Sequence, residues 1–289
     1  MHEPVLLVSD LWKSYPHPTR RPFLSRWRAP SDADSFHAVA GVELSLERGE
    51  CLGVVGESGS GKSTLVRMLA GLLRPSRGRI LLNGRVVDLG DRGTSRARVQ
   101  MVFQDPTESL NPSYRIERIL GEPLELLGKT RGAVERRARV ESLCDLVRLP
   151  KELLERFPHQ LSGGQRARVG IARALAPEPD VILLDEPTTA LDVSVQARIL
   201  LLLADLRAKL GTSFVFVTHD LGVVRLFCDR VIVMKDGRIV EEGTVRTVMS
   251  NPQHPYTQSL LRALPRIRVR PRQGCGDDSG PCPPRFSCG

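Results

Sequence analysis

The feature that most constrains this chain is an eight-residue run, Gly56-Glu57-Ser58-Gly59-Ser60-Gly61-Lys62-Ser63. It lies between the short apolar run Cys51 to Val55 and a helical pattern that opens at Lys62. A continuous apolar run of that length marks a strand buried on both faces, as in a parallel sheet. Glycines at the first and sixth positions followed by Lys and Ser fit the P-loop pattern, and the strand-to-helix context is the one it requires. The glycines let backbone N–H groups converge on phosphate oxygens, and the helix N-terminus adds its partial positive charge. Lys62 is then placed to reach the β and γ phosphates and the Ser63 hydroxyl to ligate Mg²⁺, with the nucleotide-binding stretch running through Thr64.

A P-loop needs a second acidic group for its metal. Val181-Ile182-Leu183-Leu184-Asp185-Glu186 reads as a buried strand that delivers Asp185 to the crevice at its carboxyl end. Asp185 is expected to hold Mg²⁺ directly or through water, and Glu186 to polarise the attacking water. Residues 5 to 15 and 36 to 48 have the alternation of an antiparallel sheet, interrupted at its edge by an insertion rich in Pro, Arg and Asp at 16 to 35. Helices are expected at 62 to 73 and 164 to 176 and from 194 to 210, and strands at 79 to 82, 181 to 184, 213 to 218 and, around a turn, 231 to 240. After Phe103, Pro and Asn at 106 to 112 make a loop, and helical periodicity then runs to Pro158, with Val140, Leu143, Cys144 and Val147 on one face. The predicted fold class is α/β: a P-loop NTPase core with an antiparallel β subdomain and a helical insert at about 106 to 160. One domain spans 1 to 265, and a Pro-, Arg- and Cys-containing tail spans 266 to 289.

With 289 residues, 41% of them hydrophobic and 26% charged, the composition excludes a disordered or collagenous chain. The longest apolar run, Ile199 to Ala204, is far short of the roughly 20 residues that span a bilayer. No secretory signal is readable at the start, so a cytosolic chain is expected. The net charge of +9 admits a nucleic acid or an acidic membrane surface as partner. The arginines are spread along the whole chain, which favours a solvated face and argues against a nucleic-acid partner. Cys51, Cys144 and Cys228 stand apart among apolar neighbours and read as isolated buried thiols.

Leu161-Ser162-Gly163-Gly164-Gln165 resembles the signature motif of ATP-binding-cassette ATPases, and the order and spacing of the other pieces are similar to that superfamily from Val5 to about Leu264. The resemblance implies an adenine-stacking role for Tyr15 and a γ-phosphate- and metal-sensing role for Gln104. It makes Ala190-Leu191-Asp192 the loop that communicates between the halves of a dimer and His219 the histidine that contacts the γ phosphate. Two cassettes would then sandwich two ATP molecules head to tail, with Ser162, Gly163, Gly164 and Gln165 of one chain completing the site of the other. ATP closes such a dimer and hydrolysis opens it.

Phe103-Gln104-Asp105-Pro106, Ser109-Leu110-Asn111-Pro112, Thr189 to Gln196 and Asn251-Pro252-Gln253-His254-Pro255-Tyr256-Thr257-Gln258-Ser259-Leu260-Leu261 resemble the oligopeptide, dipeptide and nickel importer ATPases in particular. That resemblance implies ABC permease subunits as partners, met at a groove by the helical insert near Gln104 to Tyr114. It also implies a second ATPase subunit, identical or different with a different chain favoured, and a solute-binding protein met indirectly. The chain would sit peripherally on the cytoplasmic face of the membrane, and the solute stays open among peptides, nickel and metal chelates. A soluble cassette ATPase acting on ribosomes or DNA is the alternative. Cys275, Cys282 and Cys288 resemble a Cys-rich extension that binds an iron-sulfur cluster in some relatives, but three thiolates fall short of the four a four-iron cluster takes, which favours a solvated tail.

Overall fold

A computed structural model describes residues 3–16, 35–87, 97–104, 109–189 and 191–263. The interior of the 16 to 35 insertion, Ala190 and the tail cysteines lie outside them. Two sheets organise the fold. The antiparallel sheet has the order β2-β1-β4-β5, built from β1 (Leu6–Pro16), β2 (Ser35–Leu46), β4 (Arg77–Leu82) and β5 (Arg85–Val86). β2 forms its edge, as the interrupted hairpin predicted. The second sheet has the order β10-β9-β3-β8-β7-β6, from β3 (Cys51–Val55), β6 (Val99–Val102), β7 (Val181–Asp185), β8 (Ser213–Val217), β9 (Arg230–Lys235) and β10 (Arg238–Thr244). Neighbouring strands from β9 to β6 are parallel, and only β10 runs antiparallel to its neighbour.

Every residue of β3, β7 and β8 is buried, because the sheet is covered on both faces. Side chains alternate between two cores with the period of two that a pleated strand imposes. Ile182, Leu184, Phe214 and Phe216 face a core shared with the helical insert, whereas Val181, Leu183, Val215 and Val217 face a core shared with the antiparallel sheet and α1 (Lys62–Leu69). The insert comprises α2 (Ile116–Leu126), α3 (Ala133–Leu146) and two short 3₁₀ turns ending at Gln160. The predicted face Val140, Leu143, Cys144 and Val147 lies in its core.

α4 (Gly163–Leu175) and α5 (Val193–Leu210) begin within a residue of their expected positions. α1 does not run to 73: it spans Lys62–Leu69. Gly71 takes φ +69, its N–H bonds Met68 O at 3.0 Å and the Leu72 N–H bonds Arg67 O at 2.9 Å. That is a Schellman stop, in which a left-handed glycine closes the helix on its own last carbonyls. α6 (Leu221–Phe227), α7 (Val245–Ser250) and α8 (Pro255–Arg262) are the last helices of the described residues, the last two packing with β9 and β10 around a third, smaller core. Cys51 and Cys228 are not isolated as their sequence separation suggested: β3 and the α6–β9 junction bring their sulfurs to 3.6 Å, and Cys228 is only partly buried.

Candidate nucleotide site

Parallel order decides where the site lies. β3, β8, β7 and β6 are consecutive neighbours, so their carboxyl ends share one edge of the sheet, where ligands of open α/β sheets bind. Each end delivers one part: the P-loop after β3, His219 after β8, Asp185 and Glu186 at β7, and Gln104 after β6.

The P-loop is held from below by its own lysine. Lys62 is 6% exposed, and its Nζ donates to the carbonyls of Gly56 and Glu57, both at 2.7 Å, and to Ser60 Oγ at 3.3 Å. Burial lowers its pKa, against the opposing charges of Glu186, Asp185 and Glu57. Gly61, the residue before α1, has φ +101, and a Cβ there would lie 2.3 Å from the carbonyl oxygen of Ala38. Only glycine fits, because β2 passes directly under the loop and is clamped there by Ala40 N–H to Gly237 O and Gly237 N–H to Ser60 O.

Ser63 Oγ lies 3.5 Å from Asp185 Oδ1, and Asp185 is 6% exposed. Burial raises the pKa of Asp185, as does the charge of Glu186, while Arg67, the Ser63 hydroxyl and Lys62 oppose the rise. A hydroxyl and a carboxylate side by side are hard oxygen donors of the kind Mg²⁺ takes when substrate phosphates supply further ligands, so the residues fit that ion.

Glu186 is the meeting point of three elements. Its φ of +46 is the left-handed region, and its N–H is fixed to Val217 O at 3.0 Å. A non-glycine residue held there costs roughly 1–3 kcal/mol, a strain that clusters at functional sites. The turn carries the carboxylate toward its neighbours: Gln104 Nε2 donates to Oε2 at 3.3 Å, Thr189 Oγ1 donates to the same oxygen at 3.0 Å, and His219 Nδ1 lies 3.3 Å from Oε1. Thr189 was not singled out as a site residue; its position three residues beyond Glu186, within one turn, is the signal that could have found it.

The remaining expected residues lie outside this cluster. Tyr15 sits at the exposed end of the β1–β2 hairpin, paired with Phe36, with Lys13 Nζ 5.2 Å from its ring centroid. Phe36 is exposed and stands two residues before Ala38, whose carbonyl oxygen lies against Gly61 of the P-loop. Ser162 caps α4 in a capping box: the Gln165 N–H donates to its Oγ at 3.3 Å, and its own N–H donates to Gln165 Oε1 at 2.9 Å. A Cβ on Gly163 would meet Leu191 at 3.2 Å, and one on Gly164 would meet Val195 at 2.7 Å. The two glycines therefore seat α4 against the segment after Ala190. Asp192 caps α5, accepting from Val195 N–H at 2.9 Å and Ser194 Oγ at 2.7 Å, and these bonds lower its pKa.

Residues 39–189 match the ABC transporter family, and residues 240–279 match the oligopeptide/dipeptide transporter C-terminal region. The probable D,D-dipeptide transport ATP-binding protein of Escherichia coli strain K12 is 45% identical over 92% of this chain and 81% of its own length. The oligopeptide transport ATP-binding protein of Lactococcus lactis subsp. lactis is 44% identical over 93% of this chain and 82% of its own. Among solved structures, cbiO1 from Clostridium perfringens, part of an ABC transporter complex, superposes with a TM-score of 0.72 at 32% identity, covering 86% of this chain and 92% of that one. A dimeric ATP-binding cassette bound to ADP and Pi in a post-hydrolysis state superposes with a TM-score of 0.68 at 32% identity, covering 83% of this chain and 99% of that one. With the P-loop, the β7 carboxylates and the Gln104–Glu186–His219 cluster on one sheet edge, this chain belongs to the ABC transporter family, as an ATP-hydrolysing subunit of its oligopeptide/dipeptide branch.

Proposed function

We propose that this subunit powers peptide uptake by hydrolysing ATP in a head-to-tail pair of cassettes docked on membrane permeases. The observation that carries the reading is the convergence of Gln104, Thr189 and His219 on the Glu186 carboxylate, beside Lys62 and the Ser63–Asp185 pair. Glu186 acts as the base that orients and polarises the attacking water. Gln104 and His219 hold that carboxylate and face the γ phosphate, while Lys62 exchanges its loop carbonyls for the β and γ phosphates. Ser63 and Asp185, with Gln104 at the rim, would hold Mg²⁺, which when bound neutralises charge on the β and γ oxygens. Tyr15 stacks on the adenine. Positioning and charge stabilisation supply most of the rate.

The sandwich is supported by the place of the signature residues. Ser162 to Gln165 open α4 and pack on residues 191 and 195, so their exposed end is available to the nucleotide of a second cassette, with Asp192 at the seam. A cavity of about 580 Å³ in the helical insert, lined by Tyr114, Arg115, Arg118, Glu122, Arg136 and Phe157, suits the docking of a permease element. Arg118 lies over the Tyr114 ring at 3.8 Å, which gives the cavity a flat cationic and aromatic wall. No helix among the described residues is long and apolar enough to cross a membrane, consistent with a peripheral subunit that depends on such partners. The relatives' names favour peptides over nickel or metal chelates, with a solute-binding protein choosing the cargo.

Glu186→Gln keeps the shape and loses the base. It should bind ATP, accumulate closed dimer and lose about 10²–10⁴ of kcat. Captured with ATP from detergent-solubilised membranes, it should bring down two multi-span permeases and a second cassette. Turnover at the native rate would remove Glu186 as the base, and recovery of ribosomal or DNA-bound proteins alone would overturn the importer.

A further inference from the structure

The C-terminal helix reaches into the nucleotide site. α8 is anchored at its start by Glu241, whose carboxylate accepts the N–H groups of Gln253 at 2.8 Å and His254 at 3.0 Å. His254 Nδ1 then accepts the Tyr256 N–H at 3.1 Å and caps the helix. Tyr256, Leu260 and Leu261 pack on the third core, which includes Val55, the residue immediately before the P-loop. Phenylalanine would satisfy that packing. The Tyr256 hydroxyl goes further: it accepts the backbone N–H of Glu57, the second residue of the loop, at 3.0 Å.

We propose that Tyr256 is a positioning residue of the ATP site, its hydroxyl holding the first turn of the P-loop so that the C-terminal helix sets the loop's readiness for nucleotide. Glu57 carries two ties, the Tyr256 hydroxyl on its N–H and Lys62 on its carbonyl. ATP draws Lys62 toward the phosphates, and the tie to Tyr256 is the one that does not compete with the ligand. A loop already held in its binding shape loses less conformational freedom when ATP arrives, so affinity rises. The phenol stays protonated for this role: burial raises its pKa, and the charges of Glu57 and Asp236 add to the rise, against the lowering effect of the Glu57 N–H. Lys235 Nζ, 5.0 Å from the ring centroid, touches the face of Tyr256 and not its hydroxyl contact, which makes it the control. The proposal rests on the ATP site described above.

The test uses the full chain. ATP affinity is measured in a Glu186→Gln background, kcat and KM in the native background, and exchange of the Glu57 amide by mass spectrometry or NMR. Tyr256→Phe removes one hydrogen bond and should weaken ATP binding about two- to tenfold, raise KM by a similar factor and leave kcat within about twofold. The Glu57 amide should be protected in the unsubstituted chain and exchange faster in Tyr256→Phe, while Lys235→Met changes neither affinity nor exchange. Unaltered ATP affinity in Tyr256→Phe, an equal loss in Lys235→Met, or a Glu57 amide that exchanges freely in the unsubstituted chain would each overturn the proposal. Failure of the unsubstituted chain to bind ATP would instead sink the ATP site itself.

Discussion

Gly61→Ala and Gly59→Ala separate the two reasons a P-loop needs glycine. Both residues have positive φ, +101 and +83, so an alanine at either position pays the backbone cost of a left-handed conformation, roughly 1–2 kcal/mol. A Cβ on Gly59 meets nothing within 4 Å, whereas one on Gly61 lies 2.3 Å from Ala38 O. Reaching even the 3.0 Å below which real Cβ atoms are essentially never found requires the loop and β2 to separate by about 0.7 Å from the 2.3 Å approach, and an ordinary contact of 3.4 Å requires about 1.1 Å. β2 cannot give way freely, because Ala40 N–H to Gly237 O at 2.8 Å and Gly237 N–H to Ser60 O at 3.1 Å tie it to the loop. Weakening both bonds adds about 2 kcal/mol at ~1 kcal/mol each. The expected destabilisation is therefore about 1–2 kcal/mol for Gly59→Ala and about 3–4 kcal/mol for Gly61→Ala. Urea unfolding of both variants measures it, read as a shift in midpoint at constant slope. If the strain is released by the loop opening instead, Gly61→Ala loses ATP binding while its midpoint moves less. Equal midpoints for the two variants, together with native ATP affinity in Gly61→Ala, would refute the packing argument.

Asp185→Asn should stabilise the nucleotide-free protein at neutral pH and abolish its Mg²⁺-dependent turnover. The folded pKa of Asp185 is raised, chiefly by burial, so folding is penalised as pH climbs through that pKa and the penalty is absent below the unfolded value of about 4. Urea midpoints of the variant and the unsubstituted chain should converge in acid and separate toward neutrality; a constant gap would contradict the assignment. Gly170→Ala, inside α4 with open space where its Cβ would lie, should stabilise by about 0.5–1 kcal/mol in the same assay. A loss of stability there would mean that the helix packs more tightly than the structure gives.

Local signals made much of this chain legible. The P-loop, the β7 carboxylates, the buried strands and the amphipathic face of α3 depend on patterns of a few residues, and all lie within one or two residues of their expected places. α1 and β10 were exceptions: β10 runs on to Thr244, past the expected end at 240, and in α1 the apolar residues Leu72 and Leu73 extended the helical pattern past Gly71, where only the hydrogen bonds to Arg67 and Met68 show that the glycine closes the helix. The site residues divide in the same way. Lys62, Ser63, Asp185 and Glu186 follow from motif and strand, whereas Gln104 and His219 were expected through resemblance and are joined to Glu186 by the order of strands.

What the chain determined by itself is the chemistry it carries: a phosphate-cradling loop, two carboxylates at a strand end and a helix opened by two glycines. These follow from side-chain volume, backbone freedom and the period of apolar residues, all of which act over a few positions. Tertiary structure alone decided which distant groups meet. Parallel neighbours β3, β8, β7 and β6 place Gln104, Glu186 and His219 together, β2 passes under Gly61, Cys51 meets Cys228, and Tyr256 reaches the Glu57 amide across 199 residues of chain. Such contacts depend on strand order and on the packing of whole cores, where the burial of many apolar side chains outweighs any local preference, so no short stretch of sequence contains them.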